Sequence, residues 1–112
     1  MAEPTLIQER GAEVLMEGDE FVRVYARTDK LVFGVATFQP GQRGPSDPGH
    51  PGAQEVAYVV QGQFVFEFPE IKRFLELRAG DAVLIPEGEP HGAINISQQV
   101  GIICWCIAPN VG

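Results

Sequence analysis

At 112 residues, 45% of them hydrophobic and 21% charged, the chain reads as one globular domain large enough to bury a core. Its formal net charge of −7 argues against a nucleic-acid footprint and against anionic membrane surfaces. No apolar run approaches the ~18 residues of a membrane span. Met1–Arg10 has neither a basic nor an apolar leader, so a cytoplasmic protein is expected.

In chain order, residues 1–20 read as an acidic arm with a short strand at Glu13–Met16. Phe21–Ala26 alternates and predicts a strand, Thr28–Lys30 turns, and Leu31–Phe38 predicts a long buried strand. Gln39–Gly49 holds three Pro and three Gly in eleven residues and reads as a loop. Glu55–Val60 and Gln63–Phe68 predict two strands, with Gln61–Gly62 as the tight turn of a hairpin between them. Strands follow at Arg73–Leu77, Ala82–Ile85, His91–Ile96 and Val100–Ile107, separated by Pro69–Lys72, Arg78–Gly80, Pro86–Pro90 and Ser97–Gln99. No segment carries a 3.6-residue period. Eight or nine closely spaced strands predict an all-β sandwich or barrel.

Cys104 and Cys106 lie two apart in the last strand, at the edge of disulfide reach, and read as reduced, buried, small apolar residues, with a metal or redox role through the C-x-C as the alternative. Phe64, Phe66 and Phe68 share one strand face and read as core, and Glu55, Ala57 and Val59 share one face of the neighbouring strand, with Glu55 either a ligand or a solvated strand-end carboxylate. Trp105 is opposite in phase to the two cysteines, so one set faces inward.

The stretch from Gly80 to Asn95 carries the most information. A strand ends at Pro86, the Pro/Gly turn cannot continue a ladder, and His91 opens the next strand with Ala93 and Asn95 on its face. A His facing a barrel interior beside a rigid turn suits a metal or acid/base site.

The spacing of Gly80, Pro86, Gly88, His91 and Asn95 resembles the second cupin motif at every defined position. Upstream, His50-Pro-Gly-Ala-Gln-Glu55, followed after six residues by Gly62, resembles the closing part of the first motif in its germin-like form. The resemblance covers about residues 31–108. It implies a double-stranded β-helix, or jelly-roll barrel, with an arm at about 1–20, a core at about 21–108 and a metal in the barrel. The departure lies at the first His of the family's H-x-H pair. Counting back from Glu55 puts that place at Pro48, which cannot ligate; counting forward from Gly41 puts it at Asp47. A one-residue bulge would let Asp47 supply an oxygen ligand instead.

The resemblance therefore implies a site of His50, Glu55 and His91, joined by Asp47, holding a divalent transition metal: Fe, Mn, Ni, Co or Zn. His91 and Glu55 are the candidate catalytic residues. Gln54, Gln63 and Asn95 are candidates to support the ligands, with Asn95 read chiefly as a hydrogen-bond partner of its turn. Glu87 and Glu89 read as solvated turn charges. Arg43 reads as a surface residue that could meet an anionic substrate at the barrel mouth.

Three functions fit. The first is a metal-dependent enzyme, dioxygenase-like or isomerase-like, acting on a small molecule in the barrel. The second is a non-catalytic cupin that binds a sugar or another small molecule. The third is a metal-free epimerase or cyclase using His91 or Glu55. Similar proteins commonly pair by exchanging N-terminal strands, so a homodimer is expected.

Overall fold

The computed structural model describes residues 3–112. The first two positions of the predicted arm lie outside these residues. Nine strands form: β1 (Glu13–Glu17), β2 (Glu20–Arg27), β3 (Val32–Phe38), β4 (Gln54–Gln61), β5 (Gln63–Phe68), β6 (Arg73–Arg78), β7 (Ala82–Ile85), β8 (Gly92–Asn95) and β9 (Gly101–Ala108). A single 3₁₀ turn at Glu9–Gly11 precedes them, and no α-helix occurs among the described residues. Among these residues, no helix is long and apolar enough to cross a membrane.

The strands make two antiparallel sheets. One has six strands in the order β1-β2-β3-β9-β4-β7; the other has three, β6-β5-β8. The non-sequential neighbours β3-β9-β4 are what the resemblance implied: a double-stranded β-helix whose inner faces meet. Alternation accounts for the layers. Glu55, Ala57 and Val59 of β4 are buried, whereas Val56, Tyr58 and Val60 face out. Phe64, Phe66 and Phe68 of β5 enter the core from the opposite sheet, and Phe64 meets Phe38 edge to face at 5.1 Å between ring centroids.

The predicted hairpin at Gln61–Gly62 does not form. β4 pairs with β7 and β9, β5 with β6 and β8, and the two strands belong to different sheets. Their apolar stripes face each other across the core, an arrangement closed to hairpin partners, which share a sheet. Gly62 makes the corner at φ +95°, and a Cβ there would lie 3.1 Å from the Cα of Gly101.

Gln39–Gly49 is irregular, as its prolines dictate, yet it runs alongside β8 as an edge. Gly41, Gly44 and Asp47 donate N–H bonds to the carbonyls of Asn95, Ala93 and His91 at 2.8–2.9 Å. Asn95 is fully buried. Its Nδ2 donates to the carbonyls of Gln39 (3.2 Å) and Gln99 (2.8 Å), and its Oδ1 accepts from Ser97. It ties the segment after β3 to the β8–β9 connection.

The phase of β9 is resolved. Ile103, Trp105 and Ile107 face the interior, and Trp105 lies flat over β3 because residue 34 is glycine; a Cβ there would sit 2.4 Å from the indole. Cys104 and Cys106 therefore face outward. They are free and half-buried in the outer surface of the large sheet, between Val35, Phe33, Tyr58 and Val56, rather than buried in the core. Burial raises the Cys104 thiol above its ordinary pKa, which favours its protonated form.

Candidate metal centre

Asp47 and His91 are brought together by backbone pairing. Each donates its N–H to the other's carbonyl, at 2.8 and 2.9 Å, so their side chains leave the same face. Asp47 Oδ1 accepts the Gly49 N–H at 2.8 Å, which turns Oδ2 toward the interior. His91 is buried, and its Nδ1 lies 3.0 Å from the Glu89 carbonyl. A carbonyl only accepts, so Nδ1 carries the proton and Nε2 offers its lone pair to the cavity. His50 comes from the Pro/Gly loop, whose register is held by the His50 carbonyl accepting from Ala53 (3.0 Å) and Gly88 (3.2 Å). Glu55 comes from β4, opposite Ile85 and Ile107, and is buried.

Four donor atoms converge. His50 Nε2 lies 3.3 Å from both Asp47 Oδ2 and Glu55 Oε1, and His91 Nε2 lies 3.4 Å from Glu55 Oε1 and 3.7 Å from Asp47 Oδ2. The tightest subset is Asp47–His50–Glu55, whose ligand atoms all lie within 4.8 Å of one another, with His91 closing against its two carboxylates. Ligands about 2.1 Å from one ion stand about 3.0 Å apart across a right angle and about 3.4 Å apart across a tetrahedral one. The observed separations fall close to that range. His50 Nε2 and Glu55 Oε1 are buried and have no hydrogen-bond partner among the described residues. Such orphaned groups are costly unless something binds them. The set thus fits a divalent ion through two nitrogens and two oxygens. All four residues expected from the sequence meet here, and Asp47, not Pro48, presents a side chain.

Burial lowers the His91 imidazole pKa. The contact with Glu55, the bond to the Glu89 carbonyl and the charges of Glu55 and Asp47 outweigh that effect and raise it overall. The expected supports are not the ones used: Gln54 faces outward, Gln63 bonds Glu76 and Asn95 serves the loops, while the Glu89 carbonyl orients His91. Glu87 is exposed as expected, but Glu89 is half-buried, with one carboxylate oxygen lacking a partner among the described residues. Arg43 lies on the outer side of the small sheet, paired with Glu67, and does not line the cavity.

The cavity above the cluster measures about 120 Å³ and is walled by Ala36, Phe38, Phe66, Ile103 and Trp105. Glu17 and Glu20 also line it, which the sequence reading missed. Both sit at the β1–β2 turn, in what reads as an acidic arm. The available signal was Glu17-Gly-Asp-Glu20, a two-residue hairpin turn that sets the glutamates opposite each other. Burial first, and then the charges of Glu17, Glu55 and Asp47, push Glu20 up to about 7. Burial first, and then the charges of Asp47 and Glu55, raise Glu17.

The family model described as "Cupin domain" matches residues 34–107, two thirds of the chain. The chain is a cupin. The double-stranded β-helix, the two motifs and the inward His and Glu residues are this family's barrel. Solved structures agree on the fold. A conserved protein with a double-stranded β-helix domain from Klebsiella pneumoniae superposes with a TM-score of 0.81 at 26% identity, over 98% of this cupin and 95% of that chain. KdgF from a Halomonas species gives 0.79 at 22% identity, over 96% of both chains. Drosophila melanogaster CENP-C, in a structure bound to CAL1, gives 0.77 at 18% identity, over 89% of this cupin and 82% of that chain. No curated protein matches the sequence significantly.

Proposed function

We propose that this cupin is a metal-dependent enzyme acting on a small organic molecule in its barrel, of dioxygenase-like or isomerase-like type. One observation carries the reading: Asp47 Oδ2, His50 Nε2, Glu55 Oε1 and His91 Nε2 converge in a small cavity, with two of those atoms buried and otherwise unpartnered. The donor set of imidazole and carboxylate suits Fe, Mn, Ni, Co or Zn, and both thiols face away from it. A divalent ion held there would supply Lewis acidity or an oxygen-binding position to a substrate. The protein's own contribution is positional. Asp47 and His91 are fixed by their mutual backbone pairing, the Glu89 carbonyl sets the His91 tautomer, and Phe38, Phe66 and Trp105 give the cavity an aromatic wall.

The test is elemental analysis of purified protein beside a His91→Ala variant. About one transition metal per chain, reduced in the variant, is the expected result. A protein that takes up no metal on reconstitution, yet turns over substrate in chelator, would replace this reading with a metal-free epimerase or cyclase using His91 or Glu55. Ligand binding without metal or turnover would replace it with a sugar- or small-molecule-binding cupin.

We further infer a homodimer. Its support is the outer face of the large sheet: across β3, β4, β7 and β9 the one charged residue is Glu55, and it points inward. Val56, Tyr58, Val60 and Leu84 are 42–60% exposed on that face, with Cys104 and Cys106 between them. A contiguous exposed apolar face of this kind is the usual mark of an association surface. Free thiols on Cys104 and Cys106 suit a reducing compartment, which supports a cytoplasmic location.

A further inference from the structure

The charge around the cavity has one sign. Glu17, Glu20, Asp47 and Glu55 line it together with two imidazoles, and no lysine or arginine does. Arg43, Lys72 and Arg73 instead line a neighbouring groove on the small sheet, which meets the cavity only at His91 and Gly92. Glu17 and Glu20 are directly opposed across the Gly18–Asp19 turn, and neither forms an ion pair among the described residues. Like charges in directly opposed positions destabilise a hairpin, so the pair has a cost, which the charge of Arg27 on β2 offsets only in part, since Glu17 is still raised overall.

We propose that Glu17 and Glu20 form an acidic mouth that makes this cavity selective for uncharged or cationic small molecules and excludes carboxylate and phosphate anions. The proposal rests on reading the cavity as the ligand site. With neutral imidazoles, the four carboxylates carry a charge of −4 when ionised, and a divalent ion on the Asp47–His50–Glu55–His91 cluster would leave −2. An anionic ligand would meet that field with no arginine or lysine to receive it, and low-dielectric walls strengthen the effect. The opposite wall, with Phe38, Phe66 and Trp105, favours the apolar body of a ligand and, through the indole face, a cationic group. Protonation of Glu20, which its high pKa makes accessible near neutrality, reduces the field without reversing it. The ligand class is therefore a small hydroxy, keto or amino compound without an acid group.

Trp105 is the sole tryptophan and faces the cavity, so its fluorescence reports on what enters. The experiment is collisional quenching by caesium, acrylamide and iodide at matched ionic strength, each scaled to free tryptophan amide. Caesium should quench at least about fivefold more effectively than iodide, with acrylamide between them. In Glu17→Gln/Glu20→Gln the ratio should fall below about twofold. A control, Glu9→Gln/Glu70→Gln, makes the same change in net charge at exposed positions and should keep the wild-type ratio. Scaled iodide quenching equal to that of caesium in the wild type would overturn the proposal, even if no variant folds. Identical ratios in the mouth and control variants would overturn it too. Metal content is measured on the same samples: asymmetry without metal sinks only the metal reading, and metal without asymmetry sinks only this one.

Discussion

Asp47 shows how one residue's backbone environment decides its chemistry. It stands beside a proline at the place where the family pattern has a His, and two ways of counting the motif disagree about which residue fills that place. Its mutual N–H···O bonds with His91, together with the Gly49 N–H on Oδ1, aim Oδ2 at His50 and His91. Asp47→Ala should lower metal affinity by at least about tenfold, since weakening even a ligand's support costs that much; equilibrium dialysis against Co²⁺ checks it. Glu20 makes a different prediction. Its pKa is about 7 in the folded chain against an ordinary 4.5. A raised carboxyl pKa means the folded state binds the extra proton between those values. Its favourable contribution is fully present below about 4.5 and is lost as pH rises through about 7. Metal-free Glu20→Gln should therefore be more stable than the parent by about 3 kcal/mol at pH 8, and the difference should vanish near pH 4. Urea unfolding at the two pH values measures this; an equal difference at both would refute it.

At the scale of elements, irregular segments position the site more than strands do. Of the four converging residues only Glu55 lies within a strand; Asp47 and His50 sit in the Pro/Gly loop and His91 just before β8. That loop is legible as a loop from its prolines. Its pairing to β8 is not, because the bonds are made to residues some fifty positions away whose own placement depends on the barrel. Asn95 holds this arrangement from within. Asn95→Ala would take one of two donors from each of the Gln39 and Gln99 carbonyls, remove the acceptor of the Ser97 N–H, and open a polar void at a fully buried position, at a cost of about 1–3 kcal/mol. The drop should appear in the urea midpoint, together with weaker metal binding, because the Gln39–Asp47 segment loses its anchor.

Across the whole molecule, the two faces of the large sheet are apolar for different reasons. The inner face fills the barrel and stops at the acidic cavity. The outer face carries exposed Val56, Tyr58, Val60 and Leu84 on an otherwise strongly acidic protein. Tyr58→Lys combined with Leu84→Lys should turn a dimer into a monomer in sedimentation velocity without changing metal content. A parent that sediments as a monomer at micromolar concentration would remove the interface. Strand exchange through the arm has less to draw on, since β1 closes on β2 of its own chain through a two-residue turn.

By itself the sequence determined the strand set almost to the residue, the inward stripes, and the convergence of His50, Glu55 and His91. These follow from alternation, Pro/Gly punctuation and motif spacing, which are local. Tertiary structure alone decided that β4 and β5 lie in different sheets, that Trp105 and not the cysteines faces inward, that the Asp47 carboxylate lies beside His50 and His91, and that Glu17 and Glu20 reach the cavity. Each of these depends on which distant segment a strand pairs with. That pairing is chosen by the burial of whole faces against one another, a quantity no local stretch of sequence contains.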